Sequence, residues 1–101
     1  MKQVSVKVQF GEVEVGGTVK QNGDGQLESK PMQEMLGKAV SGAREKAGMT
    51  TTQLAAAVGI SQAQVSRLEN GIQGFRSYLL PRFAAALGTA FSVHVNPIPS
   101  S

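Results

Sequence analysis

Residues 50–71 read Thr-Thr-Thr-Gln-Leu-Ala-Ala-Ala-Val-Gly-Ile-Ser-Gln-Ala-Gln-Val-Ser-Arg-Leu-Glu-Asn-Gly, and they decide the fold. The stretch holds two capping boxes in succession. Thr50 to Gln53 sets a threonine at the N-cap and a glutamine at the third helical position. Ser61 to Gln64 repeats the pattern with serine. Leu54, Ala55 and Val58 supply a buried face to the first helix, and Val65 and Leu68 to the second. Gly59 breaks the chain between them, and Asn70-Gly71 ends the second helix. A short helix, a tight turn and another short helix make the helix-turn-helix layout, whose second helix fits a DNA major groove.

Upstream, the helical period begins at Pro31, a residue suited to a first turn, with Ser29 and Lys30 before it. Met32, Met35, Leu36, Ala39, Val40, Ala43 and Ala47 form an apolar stripe at steps of three and four. Gly37 and Gly42 each cost about 1 kcal/mol against alanine in a helix, so they point to close packing. Gly48 stops that helix.

Residues 1–30 have another character. Val4, Val6, Val8 and Phe10 alternate with polar residues, a strand signal that Val13 and Val15 continue after Gly11. Gly16-Gly17 reads as a turn or bulge, Thr18 to Gln21 as another short strand, and Asn22-Gly23-Asp24-Gly25 as a turn. A small β-hairpin or three-stranded meander is expected, too small to stand alone. At the other end Phe91 to Val95 reads as a strand, stopped by Asn96-Pro97-Ile98-Pro99. Its partner is either the N-terminal strands of the same chain or a strand of a second chain.

The run Leu36-Gly37-Lys38, then Arg44 to Thr50, Gln53-Leu54-Ala55, Gly59-Ile60-Ser61-Gln62 and Val65 to Gly71 resembles the phage repressor and Cro type (XRE-like) of helix-turn-helix regulator. Leu80 to Gly88 is similar to the closing helix of that family. The resemblance implies a mainly α, five-helix repressor-like domain over residues 31–90. A β-rich extension over 1–30 and a strand and tail over 91–101 would flank it.

The resemblance also implies roles. The helix from Ser61 to Asn70 would be the recognition helix, with Gln62, Ala63, Gln64 and Arg67 at or beside the base edges. Glutamine pairs with adenine, arginine with guanine, and the alanine methyl meets thymine. Thr50, Thr51, Ser61, Ser66, Asn70, Gln73, Arg76 and Ser77 would position the protein on phosphates. Thr51 departs from the family, standing where a longer glutamine is common. Arg44 and Glu69 match a partly buried ion pair and are expected to be structural.

Composition agrees with a nucleic-acid partner. The chain has 101 residues, net charge +3 and no cysteine. The charge surplus falls within residues 31–101, which mildly favours a polyanion. Without cysteine there is no disulfide framework or thiolate zinc site. A single histidine, His94, argues against histidine-based catalysis or metal binding. The Asn22 loop lacks the sixth-position glycine of a calcium loop, where Leu27 stands. No cofactor, metal or enzymatic activity is expected. Apolar runs as short as Leu54–Val58 do not span a bilayer, so the expected setting is the cytoplasm, bacterial or phage-encoded. The reading is a homodimeric repressor on double-stranded palindromic DNA. The alternative is an antitoxin that neutralises a toxin, through residues 1–30 or the tail Pro97 to Ser101, and represses its own operon.

Overall fold

The computed structural model describes residues 2–98. In order they form β1 (Lys2–Phe10), β2 (Val13–Gln21), α1 (Ser29–Lys46), α2 (Thr51–Val58), α3 (Gln62–Glu69), α4 (Leu79–Ala86) and β3 (Phe91–Pro97). Residues 99–101, the end of the tail considered for a toxin contact, lie outside the described residues.

The expectation of a mainly α, five-helix domain is overturned. The described residues hold four helices and one three-stranded antiparallel sheet, a mixed α/β fold. Two stretches explain the difference. Gly71 to Tyr78 carries no helical stripe and is broken by Gly71 at φ 71°. After α4, Phe91–Pro97 forms the strand expected there, paired along β1, and leaves no length for a further helix.

β1 lies in the middle of the sheet, between β2 and β3. Its alternate residues Val4, Val6, Val8 and Phe10 all point into the core. The hairpin to β2 turns at Gly11 and Glu12, with positive φ confined to Gly11 (61°). β2 then runs unbroken to Gln21, with Lys7 opposite Gly16 and Val6 opposite Gly17. The expected turn at Gly16-Gly17 is therefore absent. Gly17 serves packing instead: a Cβ there would stand 3.2 Å from Met35 Sδ. The Asn22 turn closes through Asn22 Oδ1, which accepts from the backbone N–H of Asp24 and Gln26.

α1 begins two residues before Pro31, at Ser29. Pro31 still falls in the first turn, where its missing N–H costs nothing. The helix is clamped between the sheet and α3. At Gly42 an added Cβ would stand 2.9 Å from Val13 Cγ1 on β2. At Gly37 it would stand 2.5 Å from the Leu68 carbonyl oxygen and 2.7 Å from that of Glu69, at the end of α3. α1 ends in a Schellman arrangement, with Gly48 N–H donating to Glu45 and Met49 N–H to Arg44. One core runs through the whole molecule, from Val6 and Phe10 through Leu36 and Val40 to Leu54, Val65, Leu68 and Phe83. Phe10 stacks at a tilt on Phe91, ring centroids 4.7 Å apart, and Phe75 meets Phe83 edge-on at 5.4 Å.

Candidate nucleic-acid interface

Local chemistry shapes the start of both motif helices. Thr50 Oγ1 accepts from Gln53 N–H, while Gln53 Oε1 accepts from Thr50 N–H. Ser61 and Gln64 make the same reciprocal pair. Each box satisfies N–H groups that a helix start would leave bare. Gly59 at φ 89° makes the turn between them possible. Val65 and Leu68 are fully buried and fix which side of α3 faces the protein.

The opposite side of α3 is then determined by helix geometry. At about 100° per residue, Gln62, Ser66, Asn70, Ala63 and Arg67 share an arc of about 140°. Gln62, Ala63, Arg67 and Asn70 on this arc are exposed. Gln64 falls outside it and is half-buried, with Oε1 turned back to accept from Ser61. The structure thus separates Gln64 from the other three residues expected at base edges.

Two contacts tether the exposed side chains. Gln62 Nε2 donates to Thr51 Oγ1 at 3.1 Å, linking the starts of α2 and α3. Arg67 Nε donates to Gln73 Oε1 at 3.3 Å, linking α3 to the loop after it. Asn70 Nδ2 donates to the Ser66 carbonyl at 2.8 Å and finishes α3 locally. Arg76 and Ser77 are exposed further along that loop. There the structure adds residues absent from the expected set: Tyr78 is exposed, with the Arg82 guanidinium 5.5 Å from its ring centre. Their spacing of four residues, one helical turn, is the sequence signal that could have found the contact.

Arg44 holds the frame behind this surface. Its Nε and Nη2 donate to Glu69 at 2.8 and 3.1 Å, and Nη1 donates to the Met49 carbonyl at 2.9 Å. One guanidinium thereby joins α1, the end of α3 and Met49, which precedes the N-cap of α2. Both side chains of the pair are largely enclosed, at 15% and 8% exposure. The Glu69 hydrogen bonds hold the guanidinium pKa above its ordinary value, against the cost of burial. Lys30 Nζ adds a second tie, donating to the Gly71 carbonyl at 3.1 Å.

A helix-turn-helix domain family matches residues 36–91, more than half of the chain. The chain belongs to the helix-turn-helix domain family. It is a DNA-binding transcriptional regulator of the repressor and Cro type. Two solved structures of the clp gene regulator ClgR from Corynebacterium glutamicum are similar to this helix-turn-helix protein. One is 37% identical, with 56% of this chain and 73% of that chain covered and a TM-score of 0.55. The other is 34% identical, with 60% and 65% covered and a TM-score of 0.57. The restriction-modification controller protein C.AhdI from Aeromonas hydrophila shares the fold at 20% identity, with 60% and 88% covered and a TM-score of 0.58. No curated protein matches the chain. Among the described residues, no helix is long and apolar enough to cross a membrane.

Proposed function

We propose that this helix-turn-helix protein is a sequence-specific repressor acting as a homodimer on a palindromic operator, in the cytoplasm of a bacterium. The observation that carries the reading is the tethered, exposed arc of α3, with Gln62 held to Thr51 and Arg67 held to Gln73. Gln62 spends one amide hydrogen on Thr51. Its second hydrogen and Oε1 stay available for the donor–acceptor edge of adenine. Arg67 spends Nε on Gln73, which leaves both terminal nitrogens for guanine O6 and N7. Ala63 lies between them and suits a thymine methyl. Thr50, Thr51, Ser61, Ser66, Asn70, Gln73, Arg76 and Ser77 surround these groups with phosphate-positioning donors. Gln64 serves chiefly to cap α3.

Two copies would set their α3 helices about 34 Å apart, one turn of DNA, on two half-sites. Repression would follow from occupancy, since a bound dimer denies the promoter to polymerase. The relatives named as a clp gene regulator and a controller protein support a regulatory role of this kind.

The test is binding of genomic fragments by the purified protein across a salt series. Retention of a few palindromic fragments, with affinity falling steeply as salt rises, is the expected result. A folded protein that retains every fragment equally, or none, would sink the reading.

A further inference from the structure

Gln73 lies outside α3, yet its backbone and its side chain both bond to Arg67 on that helix. Its N–H donates to the Arg67 carbonyl at 3.4 Å, and its Oε1 accepts from Arg67 Nε at 3.3 Å. Ile72 N–H donates to the same carbonyl at 3.0 Å. The loop that carries Gln73 is laid against the first turns of α1. Lys30 Nζ donates to the Gly71 carbonyl at 3.1 Å. A Cβ at Gly71 would stand 2.9 Å from Glu34 Cγ, and one at Gly74 would stand 3.0 Å from Gln33 Nε2. Gln73 is half-buried and its loop is backed by α1, while the Arg67 that it holds is exposed.

The contact limits what Arg67 can offer. A guanidinium has a side edge, made by Nε and one terminal nitrogen, and an end edge, made by both terminal nitrogens. With Nε spent on Gln73, only the end edge is left for a bidentate pair. Guanine shows O6 and N7 side by side in the major groove, and these acceptors match an edge of donors. Cut loose, the same side chain can swing to a backbone phosphate, a contact that carries no sequence information. Fixing Arg67 before DNA arrives also removes an ordering cost from the guanine complex.

We propose that Gln73 sets the base preference of Arg67, as a positioning residue that presents the guanidinium end-on to guanine and keeps it off the phosphates. The proposal rests on the DNA reading above and goes beyond the phosphate role given there to Gln73. Competition binding with single-base variants of a retained fragment tests it. The base pair at which Arg67→Ala loses its preference marks the position read by Arg67. Gln73→Ala is expected to lower the guanine preference there by about 2- to 10-fold. Its affinity for non-specific DNA and its salt slope are expected to match the parent. Gln73→Met, which has similar length and no oxygen acceptor, is expected to do the same. Partial unfolding lowers every affinity by one factor and leaves their ratio unchanged, so the preference reports positioning and not stability. With Arg67 already alanine, adding Gln73→Ala is expected to change no base preference.

A Gln73→Ala variant that weakens all DNA alike, with the salt slope smaller by about one contact, marks a phosphate contact only and overturns the proposal. A preference that survives Gln73→Met overturns it too, as does an effect of Gln73→Ala that persists without Arg67. Fragment selection by the parent with no base preference lost in Arg67→Ala, or none altered in Gln73→Ala, refutes this proposal and leaves the DNA reading standing. A folded parent protein that selects no fragment refutes both.

Discussion

At the scale of the residue, the chain divides exposed side chains, proposed to read bases, from enclosed side chains that hold the frame. Gln62 and Arg67 are exposed, and each is steadied by one neighbour. Gln62→Ala and Arg67→Ala are each expected to weaken operator binding by about 1–3 kcal/mol and relax the preference at one base pair. Unfolding of both variants should match the parent. Thermal melts alongside competition with single-base operator variants check this. Arg44 is the opposite case. Arg44→Ala leaves the Glu69 carboxylate uncompensated and removes the donor to Met49, so a stability loss of about 3 kcal/mol is expected. Its loss of DNA binding would then follow the unfolded fraction, as a denaturant titration beside the binding curve would show. The exposed Glu12 supplies the pH-sensitive contact. Hydrogen bonding and attraction from Lys46 hold its carboxyl below the usual carboxylate range. A depressed folded pKa means a contribution present above the unfolded value and lost as pH falls through the folded one. Glu12→Gln should therefore flatten acid unfolding slightly in that window, because it lowers neutral-pH melting slightly and leaves melting in acid unchanged.

At the scale of the element, glycine does two different jobs in α1 and the sheet. Gly37→Ala gains helix propensity worth about 1 kcal/mol. It also drives a methyl into two backbone carbonyls at 2.5 and 2.7 Å, which cannot rotate away. Overpacking costs about 1–3 kcal/mol and wins, so the variant should melt lower and bind DNA more weakly as α3 is pushed off α1. At Gly42 the obstacle is a side-chain methyl of Val13, and Gly42→Ala should cost less. Melting temperatures of the two variants, measured together, check the order. The capping boxes were legible from spacing because a cap depends on residues three apart in sequence. The close approach at Gly37 was legible only as a hint, since its cause lies on α3, some thirty residues away. Gly16-Gly17 misled for the same reason: glycine marks turns and tight packing alike, and only α1 shows which applies.

At the scale of the whole molecule, the sheet and the helices share one core. Val4, Val6, Val8 and Phe10 of β1 belong to the same cluster as Leu54, Leu68 and Phe83. Removal of residues 1–28 would expose that cluster along α1. The shortened chain is expected to lose cooperative thermal unfolding and, with it, fragment retention. A calorimetric transition as sharp as that of the full chain would contradict a single core. For the full chain, the logarithm of affinity should fall linearly with the logarithm of salt, by about 0.9 per phosphate contact. Arg76→Ala is expected to reduce that slope by about one contact without changing which fragments are retained.

The sequence by itself determined the local program: two capped helices, the glycine turn between them, the buried and exposed sides of α3, and alternating strands at both ends. These follow from interactions within a few residues, where period and cap chemistry are written directly in the chain. Tertiary structure decided what those segments do to one another. It set β3 beside β1 of the same chain, where an alternating strand finds its backbone partners, and among the described residues it left four helices where five were expected. It held Gln62 and Arg67 through Thr51 and Gln73, and left one edge of β3 without a neighbouring strand among the described residues. Those outcomes depend on which distant groups satisfy each other's packing and hydrogen bonds, and no short window of sequence contains both partners.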